Sequence, residues 1–366
     1  MRDKYLPKKI IYYLSKEFLI SLFIFVLIFF SLILMISYIE EIIFFRDKDI
    51  NNNFLLKTLV ITLIKIPTLI IQFSHFIFLF TGIFFFSKLN KNNEVLSINI
   101  SGISKNFVLI VPATLSFTIG IFIILILTPA TSELSRYYEN IKKKYSQNDN
   151  LIILSDTGLW IKENKNDETL IIRADRVESE NFSKLNNVTI YKYNKNNFNQ
   201  RLDSKMLSIK NNIWTLKNAT AVDKNGLTSN QDIVFESSIN FEKLSGFFLN
   251  ANTFSIWNIQ SKIKQIKERG YYGENLIIMF HKYLSLPFML FGMIIISSIF
   301  TINKNFKFNN FINIFIGIIF GISLQYFNDI SVAIGKSGKI PIVLSSWLPV
   351  IIIMTFSLYS LLRNND

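Results

Sequence analysis

The chain has 366 residues, half of them apolar and 15% aromatic, with a formal net charge of +13 and no cysteine. Apolar content of this size exceeds what a soluble domain hides without large exposed patches, so part of the surface has to face lipid. The missing cysteines exclude disulfides, thiolate metal sites and cysteine nucleophiles, and the Lys and Arg residues lie between apolar runs instead of clustering with aromatics, which argues against nucleic-acid binding.

A membrane-crossing helix needs about 20 apolar residues. Runs of that kind occupy residues 18–39, 66–87, 106–132, 283–303, 308–328 and 340–362, three on each side of a long polar stretch. The first is too long for a signal-peptide core and lacks a small-residue cleavage site, so it reads as a retained span. Lys and Arg number eleven in residues 1–16, 88–106, 301–310 and 363, against five in the opposite loops: Arg46, Lys48, Lys57, Lys336 and Lys339. The positive-inside bias puts both termini in the cytoplasm and residues 133–270 outside.

In chain order, Lys65 stands two residues before Pro67 near the outer end of span two, and His75 lies within that span. An ionisable group in a membrane helix marks a pathway or forms a buried hydrogen bond, and both readings stand for His75. The loop from Lys88 to Ser104 reads as a short amphipathic helix. Asn92 or Asn93 caps it, Glu94 sits at its positive end, Gly102 breaks it, and Val95, Ile98 and Leu96 form an apolar side available to a partner.

The outer segment holds strand-like runs at Thr169–Arg173, Val188–Tyr193, Ile213–Leu216 and Ile233–Phe235. Asn186-Asn187, Asn194–Asn197, Asn211-Asn212 and Asn225-Gly226 separate them as turns, the pattern of an antiparallel sandwich or jelly roll. Such a domain is either a solubilising cap or an open-edged sheet offering an apolar face to a lipid or a partner sheet. Ile256, Ile259, Ile263 and Ile266 then share one face of a helix opposite Lys262, Lys264 and Lys267. Farther on, His281 and Lys282 fall at the outer edge of span four, and Asp329 closes span five at the same side.

The expected fold is a membrane α + β protein: six transmembrane helices in a three-plus-three arrangement around an inserted β-jellyroll-like domain. Its division is spans one to three in 1–132 with a cytoplasmic helix at about 88–103, the β domain in 133–255, an amphipathic connecting helix in 256–273, and spans four to six in 274–366. The sequence contains no phosphate-binding glycine loop, His-Glu-x-x-His zinc motif or Gly-x-Ser-x-Gly elbow. Neither a catalytic nor a metal site is expected.

The order of these features resembles the LptF/LptG (YjgP/YjgQ) permeases of lipopolysaccharide transport. The likeness rests on the three-plus-three layout, the β insertion, the stretch from Asn93-Glu94 to Ser101-Gly102 that is similar to the family's coupling helix, Pro67 and Asp329. Asp156–Lys162, Ser255-Ile256-Trp257 and the stretch from Tyr272 to Lys282 look more like the G member. The resemblance implies a bacterial inner-membrane subunit that pairs with a homologous F-like permease and two cytoplasmic ATPases, extracts lipopolysaccharide, and passes it to periplasmic β-jellyroll bridge proteins. It implies no directly bound cofactor, ATP belonging to the partner ATPase. It places ATPase coupling at Glu94, Val95, Ile98, Ser101 and Gly102, and cargo or cavity contacts at Ser37, Glu40, Arg46, Lys65, His75, Lys282 and Asp329. The family's basic positions at the end of span one are matched by Ser37, Ile43 and Phe44, with Glu40 keeping the acidic character, so Arg46, Lys48 or a partner would serve phosphate recognition. Two other classes fit the bare layout: a permease that transmits force to lipoproteins or another glycolipid, and a membrane-bound enzyme.

Overall fold

The computed structural model describes residues 7–46, 53–145, 151–155, 158–165, 168–177, 184–194, 197–210, 212–223, 226–237, 250–268, 273–302 and 310–363. Lys48, Asp156, Thr157, Lys195, Asn196, Asn211, Asn225 and Tyr272, which figure above singly or within named stretches, lie outside them. The chain divides into two compact units, Met1–Tyr138 with Ser255–Trp257 and Ile277–Asp366, and Glu139–Phe254 with Asn258–Leu276.

The first unit is helical. Its elements are α1 (Lys8–Phe45), α2 (Phe54–Gln72), α3 (Ser74–Lys91), α4 (Glu94–Ile100), α5 (Lys105–Phe122), a π-helical turn (Ile123–Leu127) and the first part of α6 (Thr128–Tyr145). After the second unit come the start of α7 (Ile256–Glu268), most of α8 (Glu274–Ile302), then α9 (Asn310–Lys336) and α10 (Ile342–Arg363). Among the described residues, six helical stretches are long and apolar enough to cross a membrane: Lys8–Phe45, Phe54–Gln72, Lys105–Lys142, Glu274–Thr301, Phe315–Lys336 and Ile342–Tyr359. The number of spans expected from hydropathy is therefore observed.

The second span differs in extent. Its helix starts at Phe54, takes in Lys57 and Lys65, and breaks at Phe73 before α3 continues to Lys91. Lys57 and Lys65 interrupt the uncharged run in this first half, yet both lysine stems can lie along apolar neighbours. The helix of the third span continues past residue 132, α6 ending at Tyr145, because Thr131 to Lys144 keep an amphipathic pattern after the apolar run ends.

The bundle core centres on α3, where Phe78, Leu79, Ile83, Phe85, Phe86 and Leu89 pack with Leu14 and Phe18 of α1, Val108 and Leu109 of α5, and Leu290 to Ile296 of α8. Close approach of the helices depends on absent side chains. A Cβ at Gly82 would lie 2.0 Å from Ser297 Oγ, and one at Gly120 would lie 2.7 Å from Pro287 Cα. Small residues at such crossings let backbones meet where lipid offers no hydrophobic drive for association.

The second unit holds a seven-stranded antiparallel sheet in simple meander order: β1 (Leu151–Ser155), β2 (Gly158–Lys165), β3 (Glu168–Val177), β4 (Lys184–Asn194), β5 (Asn197–Lys210), β6 (Ile213–Asp223) and β7 (Gly226–Glu236). One face is buried through Leu159, Ile161, Leu170, Ile172, Ile190, Leu202, Leu207 and Trp214. An inserted antiparallel β domain is thus present, as the expected fold class requires.

Asn186-Asn187 is not a turn. Both residues lie inside β4, where Asn187 takes a positive φ of 48°. The buried face skips there from Leu185 to Val188, and it skips in step on β5 from Ser204 to Leu207 and on β6 from Leu216 to Ala219, beside Asn218 at φ 50°. Asparagine tolerates the left-handed conformation because its short polar side chain bonds locally. Because the pairing register from β4 through β6 stays constant across these positions, the three strands turn together in a shared crease, with no unpaired extra residue between them. Ser204 Oγ stitches the crease, 2.6 Å from the Lys217 carbonyl oxygen and accepting Met206 N–H at 3.2 Å. The sheet curls far enough that Ser237, just past β7, donates to the buried Glu163 carboxylate on β2 at 2.7 Å.

Candidate functional site

Three groups of side chains in the helical unit combine charge, burial and exposure in ways that packing alone does not require. The first is α4, at the end of the bundle where α1 begins and α3 finishes. Asn93 precedes it in a left-handed conformation (φ 57°) without a side-chain cap. Asn92 instead donates to Glu94 Oε1 at 2.9 Å, so neither asparagine caps the helix as expected. The far end closes through Gly102 (φ 86°), whose N–H reaches Asn99 O at 3.0 Å while Ile103 N–H reaches Ile98 O at 3.4 Å. This is the double hydrogen bond of a Schellman motif, which needs the left-handed glycine.

Glu94 also accepts a hydrogen bond from Tyr13 Oη of α1 at 2.7 Å, and Lys88 pairs with Glu17 at 2.6 Å alongside. Val95 is 6% exposed and Ile98 packs against the same core. The expectation that these two face a partner is corrected: a seven-residue helix resting on a bundle must turn one apolar pair inward. Leu96 and Ile100, 55% and 78% exposed, form the free apolar face instead. Ser101 ends the helix with its hydroxyl on Ile98 O at 2.6 Å.

The second group lies at the opposite end, where α1 finishes and α2 begins. Lys65 Nζ is 2.9 Å from Glu40 and 3.6 Å from Glu41, and it stands over the Tyr138 ring. Tyr138 donates to Glu41 at 2.5 Å. Glu41 is fully buried and shares its side of α1 with buried Ser37 and Phe45. Ser37, expected as a cargo contact, therefore points into the packed interior. Arg46 follows the last turn of α1 and is exposed.

The third group surrounds a cavity of about 270 Å³ built by α2, α3, α8, α9 and α10 at the level of the Phe73 break. Gln72, Ser74, His75, Lys282, Gln325 and Asn328 supply its polar lining. His75 and Lys282, far apart in sequence, meet here. Asp329 does not line the cavity but accepts from Gln325 Nε2 at 3.1 Å, and Gln325 also interacts with His75. Sequence reasoning missed Glu41, Tyr138, Gln72, Ser74, Gln325 and Asn328. Single polar residues in apolar runs carry no spacing signal, and only tertiary packing shows which of them converge.

A family model described as lipopolysaccharide export system permease LptF/LptG matches residues 12–363, nearly the whole chain. The chain belongs to the LptF/LptG family. A search of curated proteins returns no match. LptF/LptG members are transporter permeases of lipopolysaccharide export, and six apolar helices make this member a multi-pass inner-membrane protein. Within this permease, α4 stands at the position where the resemblance placed the coupling helix.

Proposed function

We propose that this permease is the G-like half of an ATP-driven exporter that extracts lipopolysaccharide from the inner membrane and passes it to periplasmic β-jellyroll bridge proteins. An F-like permease completes the membrane part, and two cytoplasmic ATPases bind and hydrolyse ATP, for which this chain holds no phosphate-binding loop. The reading rests chiefly on α4: a short helix fixed to α1 through Tyr13–Glu94, anchored by Val95 and Ile98, and offering Leu96 and Ile100 outward. A load applied to such an element moves the bundle as a rigid body. The excess of Lys and Arg at this end supports a cytoplasmic orientation, with the β domain in the periplasm. Exposed Phe23, Leu27, Met35 and Ile39 on α1, and Phe315, Ile319 and Ile330 on α9, suit spans one and five as faces toward lipid and the second permease.

The experiment is affinity purification of the full-length chain from its own membranes in mild detergent, with mass spectrometry of bound proteins and lipids. The expected outcome is an ATPase, a second permease and a lipid A-bearing glycolipid together. The paired substitution Leu96→Asp and Ile100→Asp should remove the ATPase while the second permease stays. Purification of the wild type with neither ATPase nor permease would overturn the proposal.

A further inference from the structure

One side of α7 combines a tryptophan with lysines, and the packing of the helix does not use it. On the opposite side Ile259 and Ile266 are 0% and 3% exposed, so protein already covers the apolar face that an amphipathic helix would otherwise sink into lipid. The open side carries Trp257, Ser261 and Lys264 at the i, i+4, i+7 spacing of one helical face, with Lys267 one turn further on. Three lysines against one glutamate leave α7 with a net positive charge.

Trp257 fixes where this side begins relative to the bilayer. Its indole N–H donates to the Leu125 carbonyl oxygen at 3.4 Å, in the π-helical turn of the third span, while the ring stays 64% exposed. Leu125 stands twenty residues past Lys105, where that span starts. At 1.5 Å per residue this is about 30 Å, the thickness of the hydrocarbon core. Phe122, Leu125 and Ile126 are exposed beside it, as lipid-facing residues are. Tryptophan suits this boundary because its ring is apolar and its N–H needs a partner. The headgroup layer beyond is roughly 5–8 Å deep. Lys262 and Lys264 follow Trp257 by about 7.5 and 10.5 Å along the helix, and the long lysine stem closes the remaining distance.

We infer that the open side of α7 binds the phosphates of anionic membrane phospholipids, with Trp257 as its anchor at the hydrocarbon boundary. The compact ammonium of lysine meets a phosphate as a point charge and needs no fixed orientation. Each lysine at an anionic surface strengthens the attraction about fivefold, and the Ser261 hydroxyl adds a donor. Bilayer lipid is the occupant because the indole holds the face at the level where lipid headgroups lie. The surface belongs to this chain and its bilayer, so it stands or falls separately from the export reading.

The test uses the full-length chain in nanodiscs of mixed phosphatidylcholine and phosphatidylglycerol, with one lipid or the other brominated on its acyl chains to quench tryptophan. Subtracting the emission of Trp257→Phe isolates the Trp257 signal. Brominated phosphatidylglycerol should quench it more than an equal fraction of brominated phosphatidylcholine. The preference should shrink as salt is raised. It should vanish in the triple variant Lys262→Gln, Lys264→Gln and Lys267→Gln, while total quenching persists because the indole remains at the boundary. The salt series on the wild type gives the same answer if that variant is not monodisperse. Equal quenching by both lipids, a preference untouched by salt or by loss of the lysines, or no quenching by either lipid would overturn the inference. Displacement of brominated phosphatidylglycerol by added lipid A, but not by unlabelled phosphatidylglycerol, would also overturn it by assigning the face to cargo.

Discussion

Removing Lys65 should show how strongly the buried Glu41 depends on it. At 3.6 Å the gross attraction is about 4–5 kcal/mol with an effective dielectric of about 20. Desolvation offsets most of this, but deleting one partner of a buried pair typically costs about 3–5 kcal/mol because the remaining charge is stranded. Lys65 keeps 23% exposure, so solvent moderates the loss, and Lys65→Met should cost about 3 kcal/mol. Glu41→Gln removes the charge and keeps an acceptor for Tyr138, at a cost of about 1 kcal/mol. Without a stranded carboxylate the double variant should also lose only about 1 kcal/mol, giving a coupling of roughly 3 kcal/mol where non-interacting sites would add. Unfolding in mixed micelles with increasing SDS, followed by tryptophan fluorescence, measures all three. Additive losses, or a Lys65→Met variant within 0.5 kcal/mol of wild type, roughly the scatter of a neutral surface change, would refute the reasoning.

Gly120→Val should destabilise the bundle by about 1–3 kcal/mol in the same assay, because Pro287 backbone atoms cannot yield to a side chain. Gly102→Ala meets no neighbour within 4 Å, so its cost of about 1 kcal/mol should come from the left-handed backbone alone. It should appear as faster amide exchange at position 102 and at Ile103. In the β domain, Asn218→Gly should be nearly neutral and Asn218→Val should cost roughly 1–2 kcal/mol, read by thermal circular dichroism of the whole chain. Val95→Asp should lower the yield of folded permease, whereas Leu96→Asp should leave it unchanged; gel filtration separates the two.

Hydropathy revealed the six spans because each demands a long apolar run, and alternation with asparagine-rich joints revealed the β domain. Family resemblance pointed to the coupling segment, but its apolar residues are shared between two sides, and only the packing of α4 against α3 and α5 shows that Val95 and Ile98 turn inward. The Asn186-Asn187 pair carries the composition of a turn, yet a left-handed asparagine also fits inside a strand whose neighbour creases in step. Of the sites, His75 and Lys282 were visible as isolated ionisable groups in apolar surroundings. Their convergence was not, since it depends on where α3, α8 and α9 cross. Glu41 was hidden by its neighbour: Glu40-Glu41 reads as a pair at a helix end, and burial alone separates an exposed carboxylate from an enclosed one.

The mounting of α4 also sets how quickly force leaves it. A docking loop joined to its bundle by flexible chain would absorb a push as local recoil. Here Glu94 of α4 is hydrogen-bonded directly to Tyr13 of α1, the 38-residue helix that carries Glu41 near its far end. Under the proposed function, a displacement at α4 would therefore reach the far end of α1 through one hydrogen bond and one continuous helix.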